Sequence, residues 1–268
     1  METVAADLRP HLVGRTIVGV DLRFPAIVRH PEPFLFESGL TGRRIEALTR
    51  RGKYILMHLA GGDLLVVHLG MTGQLRYVDP ATALLDHTHA VLALDDGSQL
   101  RYRDVRRFGR LLFGSEQELV AERKLPKLGP EPIDPEFSAA DLYRRLHSRR
   151  APLKSLLLDQ AVVAGVGNIY ADESCFRARI RPDRRADSLS RPAVRRLREA
   201  LQVSLLQGIA NRGSSVDDYR DAWGEKGLQQ EQLQVYGRGG KPCLTCGRSL
   251  ASVRLAGRTT VFCRRCQR

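Results

Sequence analysis

The chain has 268 residues, with 43 Lys and Arg against 30 Asp and Glu and a formal net charge of +13, which sets its pI near 10.1. That length allows one large core, or two modest ones beside a small stapled module, and so basic a balance points to a polyanionic partner. With no run of about 18 apolar residues and no signal-type apolar stretch at the start, a membrane role is excluded and a soluble intracellular protein is expected.

In chain order, Val4, Leu8 and Leu12 recur at helical spacing, which predicts an amphipathic helix over 3–12 with Gly14 as its stop. Short apolar runs broken by glycines follow at 16–22, 42–48, 53–59, 63–69, 90–94, 99–102 and 110–113. Runs so closely spaced read as an antiparallel sandwich or barrel, and Asp96-Gly97 marks a hairpin turn. The stretch 124–137 carries Pro126, Pro130, Pro132 and Pro135. Each proline removes a backbone donor, so this is a linker. Helical patterns are then expected over 138–147 behind Ser138, and over 152–159, 169–178 and 191–208. The tail from 235 is rich in Gly, Cys and Arg and too short for an apolar core of its own, so a metal must hold it. The domain reading is therefore 1–123, a linker at 124–137, a helical domain over 138–234 and a metal module over 235–268.

The metal module has a clear ligand set. Cys243-x2-Cys246 and Cys263-x2-Cys266 have the spacing of two thiolate knuckles around one tetrahedral zinc. Disulfides are disfavoured in a reducing compartment, and iron–sulfur clusters have less regular spacing. Four sulfur ligands leave no open coordination position, so one structural zinc ion is expected. The hairpin between the knuckles presents Arg254, Arg258 and Thr259, a surface suited to phosphates. Cys175, alone in a helix, reads as a buried thiol.

Three further segments carry chemistry. Gly165-Val166-Gly167-Asn168 lies between two helical patterns. It reads either as a tight turn capped by Asn168 or as a phosphate seat to which Lys154 adds charge. Asp104-Val105-Arg106-Arg107-Phe108-Gly109 sets two guanidiniums beside an aromatic ring, and His68-Leu69-Gly70-Met71-Thr72-Gly73 sets a thioether between glycines. Apolar and cationic loop tips suit a protein that enters a base stack and fills the gap left by an extruded nucleotide. Core packing of Met71 and Phe108 is the competing reading.

Together these segments resemble the formamidopyrimidine-DNA glycosylase family, relatives of the endonuclease VIII-type glycosylases. The likeness spans nearly the whole chain. It rests on His11-Leu12-Val13-Gly14-Arg15, Arg51-Gly52-Lys53-Tyr54, the segments 68–73 and 106–109, Gly165-Val166-Gly167-Asn168-Ile169-Tyr170, and Val235-Tyr236-Gly237-Arg238 before the cysteines. The fold it implies is α+β and multidomain: an N-terminal β-sandwich with a flanking helix, a helix–two-turns–helix domain and a C-terminal zinc finger. The function it implies is base-excision repair of oxidised purines in double-stranded damaged DNA, by base flipping and β,δ-elimination. A cytoplasmic, nucleoid-associated bacterial monomer is expected.

The resemblance also assigns residues. Met71, Arg106 and Phe108 enter the duplex, and Asn168 and Lys154 grip phosphates. Lys53 is the proton donor for β-elimination and Arg258 for δ-elimination, while His89, Arg107 and Arg149 add DNA contacts. Arg212-Gly213-Ser214-Ser215, running on to Asp218 and Tyr219, matches the loop that covers the flipped base, which favours oxidised purines over pyrimidines.

One departure stands out. The family begins Pro-Glu and continues Leu-Pro-Glu-Val-Glu-Thr-Val, whereas this chain begins Met1-Glu2-Thr3-Val4. The proline supplies the amine that attacks the sugar, and the glutamate moves protons to and from it. Aligned on the shared Glu-Thr-Val, Met1 stands at the valine and Glu2 at a later glutamate. The expectation is an active glycosylase whose true start lies upstream; the alternative is a lesion-binding protein without the nucleophile.

Overall fold

The computed structural model describes residues 1–216 and 218–268, and the chain divides into two compact units, 1–126 with 211–230, and 127–210 with 231–268. Of the loop read over 212–219, residue 217 lies outside the described residues.

The first unit opens with helix α1 (Glu2–Leu12), whose Val4, Leu8 and Leu12 are wholly buried, as their spacing predicts. The chain leaves the helix through Val13 in extended conformation and turns at Gly14, whose φ of +90° suits glycine. Glu2 pairs with Arg50 and, more loosely, with Arg9, so its carboxylate ties α1 to a neighbouring strand.

Two sheets follow, built from β1 (Ile17–Leu22), β2 (Val28–His30), β3 (Ile45–Arg51), β4 (Tyr54–Leu59), β5 (Asp63–His68), β6 (Gly73–Val78), β7 (Thr88–Leu94), β8 (Gln99–Asp104) and β9 (Arg110–Ser115). Their orders are β1-β7-β8-β6 and β2-β9-β5-β4-β3. Inward residues of both, among them Ile17, Leu92, Leu100 and Tyr102 from one and Ile55, Met57, Leu65 and Leu111 from the other, share a single core with α1. Of the sandwich or barrel that the short apolar runs predict, this is the sandwich. The β7–β8 hairpin turns at Gly97, φ +85°, where Asp96 accepts from the Ser98 amide, as its Asp-Gly signal indicates.

The sandwich differs from the sequence expectation in two strands. β2 pairs with β9 in parallel, so the larger sheet is not wholly antiparallel. β2 spans three residues, too few to show a period. β6 was hidden because its polar residues have tertiary partners: buried Gln74 donates to the Asp218 carbonyl and Arg76 to the Trp223 carbonyl. Helices α2 (Pro33–Leu40) and α3 (Glu116–Ala121) complete this part of the unit.

The second unit contains α4 (Ala139–His147), α5 (Leu153–Leu158), α6 (Asn168–Arg177) and α7 (Arg191–Ala210). α4 begins with a capping box between Ser138 and Asp141, the stop-and-start signal expected after a proline-rich linker. These helices close over their own core, which includes Leu142, Leu153, Val163, Cys175 and Leu197. The finger hairpin β10 (Ala251–Leu255) and β11 (Arg258–Phe262) has a small cluster of its own, Val235, Leu250, Val261, Cys243 and Cys263, against which Phe176 of α6 packs.

Residues 211–230 pack with the first unit, although the sequence reading grouped them with the helices. The contacts are specific: Arg212 bridges Asp7 and Asp221, and Trp223 packs edge-on against His11. The physical reason is charge and aromatic complementarity to α1 and β6, which hydrophobic period alone does not report.

Because Leu8 is wholly buried in the core joining α1 to both sheets, Leu8→Ala is expected to cost about 2–5 kcal/mol in urea unfolding. A loss below about 0.5 kcal/mol would place α1 outside that core.

Candidate nucleic-acid interface

In the first unit two loops meet. The segment 68–73 joins β5 to β6 and the segment 104–109 joins β8 to β9. Their approach is so close that a Cβ on Gly70, φ +62°, would lie 2.7 Å from the Gly109 nitrogen, and one on Gly109 would lie 1.7 Å from the Tyr102 hydroxyl. Only glycine fits at either place.

The carboxylate of Asp104, wholly buried, organises both loops. It accepts a hydrogen bond from the Thr72 hydroxyl and another from the Gly109 amide at 2.7 Å. Thr72 Oγ1 in turn accepts from the Arg106 amide at 3.0 Å. The result is that Met71 and Phe108, 54% and 53% exposed, stand on the outside of a polar network rather than in the core. Core packing is thereby excluded for both. Arg106 lies over the Phe108 ring at 4.7 Å and Arg107 over Phe24 at 4.3 Å. Around Phe108, Arg29, Arg107, Arg110, Arg123 and Lys124 line a concavity of about 490 Å³. Arg29, Arg123 and Lys124 were not legible as site residues, because nothing in their local sequence marks them.

His68 shapes the same tip. Its Nδ1 accepts from the Gly70 amide at 3.1 Å, so the ring is neutral there. Burial first, then the charges of Arg110 and Lys53, lower its pKa to about 4. Lys53 occupies the turn with Gly52 between β3 and β4, one position short of the strand in which it was expected. Burial and the Arg50 charge lower the Met1 amino group to about 6.

The second unit holds the remaining candidates. Asn168 is the first residue of α6, and Gly167 takes the cap position, so the capping role considered for Asn168 is not the one it has. The glycine turn before it is held by Gln160, which accepts from the Gly165 amide and donates to the Val166 carbonyl. Arg149 is half exposed and paired with Asp159. Arg258, exposed, opens β11 directly after the turn at Ala256 and Gly257.

Two residues read as DNA contacts lie in the interior. His89 is buried and its Nε2 is 2.8 Å from the Asp104 carbonyl oxygen, so it backs the 104–109 loop. Lys154 is wholly buried against Asp172 at 2.6 Å and donates to the Thr259 carbonyl at 3.0 Å. Burial lowers the Lys154 ammonium, and it raises the Asp172 carboxyl to about 6 against the opposing pull of Lys154. Glu173, also missed by sequence reasoning, accepts from the amides of Gln234, Val235 and Tyr236 and so anchors the lead into the finger.

Cys243, Cys246, Cys263 and Cys266 place their sulfurs within 4.8 Å of one another, with Cys243–Cys266 at 3.9 Å and Cys246–Cys263 at 3.5 Å. Tetrahedral zinc with bonds near 2.3 Å requires sulfurs about 3.8 Å apart, and a disulfide requires about 2.05 Å. The set fits one structural zinc ion and excludes disulfides.

The family model for the formamidopyrimidine-DNA glycosylase N-terminal domain matches residues 1–111, that for the H2TH domain 128–220, and that for a zinc finger found in FPG and IleRS 240–268. The chain belongs to the formamidopyrimidine-DNA glycosylase family. It is 48% identical over 271 residues to the formamidopyrimidine-DNA glycosylase of Heliobacterium modesticaldum, covering 100% of this chain and 98% of that protein. It is 51% identical over 254 residues to that of Moorella thermoacetica, covering 95% and 93%. Among solved structures, the MutM (FPG) protein of Thermus thermophilus superposes with a TM-score of 0.89 at 42% identity, covering 99% and 96%. The Lactococcus lactis Fpg in complex with DNA containing an abasic site gives 0.91 at 32%, covering 99% and 97%. Membership in the formamidopyrimidine-DNA glycosylases makes this a DNA glycosylase of base-excision repair, and it favours that reading over a lesion-binding protein without activity.

The neutral state of His68 is the one that closes the loop carrying Met71. With a folded pKa near 4 and an ordinary value near 6.5, the unfolded chain binds the extra proton between those values, so stability falls as pH drops from about 6.5 towards 4. Urea titrations across that range are expected to show this slope and to lose part of it in His68→Gln. An unchanged slope in the variant would remove His68 as its source.

Proposed function

We propose that the chain releases oxidised purines from duplex DNA and cleaves the strand behind them, with Met71, Arg106 and Phe108 filling the space left by the extruded base. The observation that carries this is the Asp104 network, which holds an exposed thioether, guanidinium and aromatic ring at adjoining loop tips. Groups of this kind displace a base and shield the gap. Arg107, Arg149, Asn168 and Arg258 contribute phosphate contacts, and the net charge of +13 supplies the long-range attraction.

Lys53 acts as proton donor in the β-elimination and Arg258 in the δ-elimination. Lys53 lies in the β3–β4 turn and Arg258 opens β11 directly after the β10–β11 turn, placements that suit general acids. The loop 212–219 favours purines by covering the flipped base; Arg212, paired with Asp7 and Asp221, sets where it leaves α7. The relatives solved with lesions carry Fapy-dG or an abasic site, which supports the same substrate class here. A monomer is sufficient to bind one lesion. No helix among the described residues is long and apolar enough to cross a membrane, and the reading places the protein with the DNA of the cytoplasm.

The domain division proposed with this function takes 1–123 as the part bearing the gap-filling loops, 124–137 as linker, 138–234 as the helical DNA-binding part, whose segment 211–230 packs with the first unit, and 235–268 as the finger. The chemistry of base release needs an amine in attack geometry at the sugar.

The test is borohydride trapping of the protein on duplex DNA containing 8-oxoguanine, against the same duplex containing 5-hydroxycytosine. A covalent adduct is expected with 8-oxoguanine and far less with 5-hydroxycytosine. Lys53→Ala should slow β-elimination, and Arg258→Ala should leave β-products uncleaved at the second step. No adduct on 8-oxoguanine, or equal trapping on 5-hydroxycytosine, would overturn the assignment.

A further inference from the structure

Arg258 reaches solvent, and among the described residues its guanidinium has no hydrogen-bond or ion-pair partner, so its position depends on its backbone. Turn residues Ala256 and Gly257, with φ of 48° and 73°, lead straight into it, and Leu255 pairs with it across the hairpin. The zinc ligands fix only the knuckles at 243–246 and 263–266, the opposite end of the two strands.

What grips the strand next to Arg258 is a pair of wholly buried charges from two other helices. Lys154 of α5 donates from Nζ to the Thr259 carbonyl at 3.0 Å, and Asp172 of α6 accepts at Oδ2 from the Val261 amide at 3.1 Å. The two side chains meet at 2.6 Å. Asp172 also lies one helical turn beyond Asn168 on the same helix, so one rigid element links Asn168 to the clamp on β11.

We propose that Lys154 and Asp172 are positioning residues: their buried ion pair sets the distance between Arg258 and Asn168 and so matches both to phosphates of the bound strand. The inference rests on the reading of Arg258 as a phosphate contact. It assigns Lys154 no contact with DNA and gives Asp172 a part in DNA recognition, although its charge is the wrong sign for a direct one. Burial makes the pair rigid, because neither charge can turn to water without leaving the other uncompensated.

The experiment measures binding of the full-length, zinc-loaded protein to a duplex containing a tetrahydrofuran abasic-site analogue, as a function of salt, with zinc content and melting temperature followed in parallel. Arg258→Ala is expected to weaken binding about tenfold and to reduce the salt slope by about 0.9, the value of one phosphate contact. Asp172→Asn keeps the shape and the acceptor for Val261 but removes a negative charge. Simple electrostatics then predicts tighter binding, whereas positioning predicts weaker binding with the reduced slope. Lys154→Met should give the same loss with one zinc retained, and Lys154→Met combined with Arg258→Ala should bind no more weakly than Arg258→Ala alone.

Tighter or unchanged binding by Asp172→Asn overturns the proposal, as does a Lys154→Met loss that adds in full to that of Arg258→Ala. If Arg258→Ala changes neither affinity nor slope, the phosphate reading of Arg258 fails and the positioning role falls with it. Should Lys154→Met lose zinc or fold, the Asp172→Asn result decides by itself.

Discussion

A buried carboxylate accepts hydrogen bonds from both loops that carry Met71, Arg106 and Phe108, and the arrangement of those loops depends on it. Asp104 has no exposure to solvent, and its partners are the Thr72 hydroxyl, the Gly109 amide and, at 3.5 Å, the Tyr102 hydroxyl of β8. A polar group in that place is tolerated only because donors surround it, and two of those donors belong one to each loop. The same constraint explains the glycines at 70 and 109, where the backbones come too close for any Cβ. Met71, Arg106 and Phe108 are thus presented outward by a network none of their own side chains joins, leaving them available to DNA.

The second unit follows the same design with different groups. Asp172, Lys154 and Glu173 are interior polar groups whose hydrogen bonds go to the backbone of the finger or of the lead into it: the Val261 amide, the Thr259 carbonyl, and the amides of 234–236. Zinc secures the knuckles, and these helix-borne groups secure the strand and the lead between them. Buried polar groups bonded in full rigidify what they touch. In a protein that must meet phosphates at fixed spacing, that rigidity reduces the ordering cost of binding.

Much of this was legible in the residues. The period of Val4, Leu8 and Leu12, the short apolar runs of the sandwich, the Ser138 cap and the cysteine spacing each carry a local physical signal, and each appears in the fold. What was not legible depends on tertiary partners. β2 is too short to show a period, and β6 buries Gln74 under a segment more than a hundred residues later. Lys154 and His89 carry the residue types of DNA contacts but are enclosed by Asp172, Thr259 and Asp104. Asp104 itself stood in a segment singled out for its arginines and phenylalanine; a single carboxylate beside them gives no sign that it organises the whole.

The most direct measurement of the central claim is the affinity of Asp104→Asn for a duplex bearing an abasic-site analogue, against the same duplex without it. The account predicts that binding to intact DNA is retained, because the cationic surface is unchanged, while the preference for the lesion falls at least about tenfold as the loops lose their common anchor. An undiminished preference, in a variant that still folds, would show that Met71, Arg106 and Phe108 do not need Asp104 to be held in place, and would contradict the account.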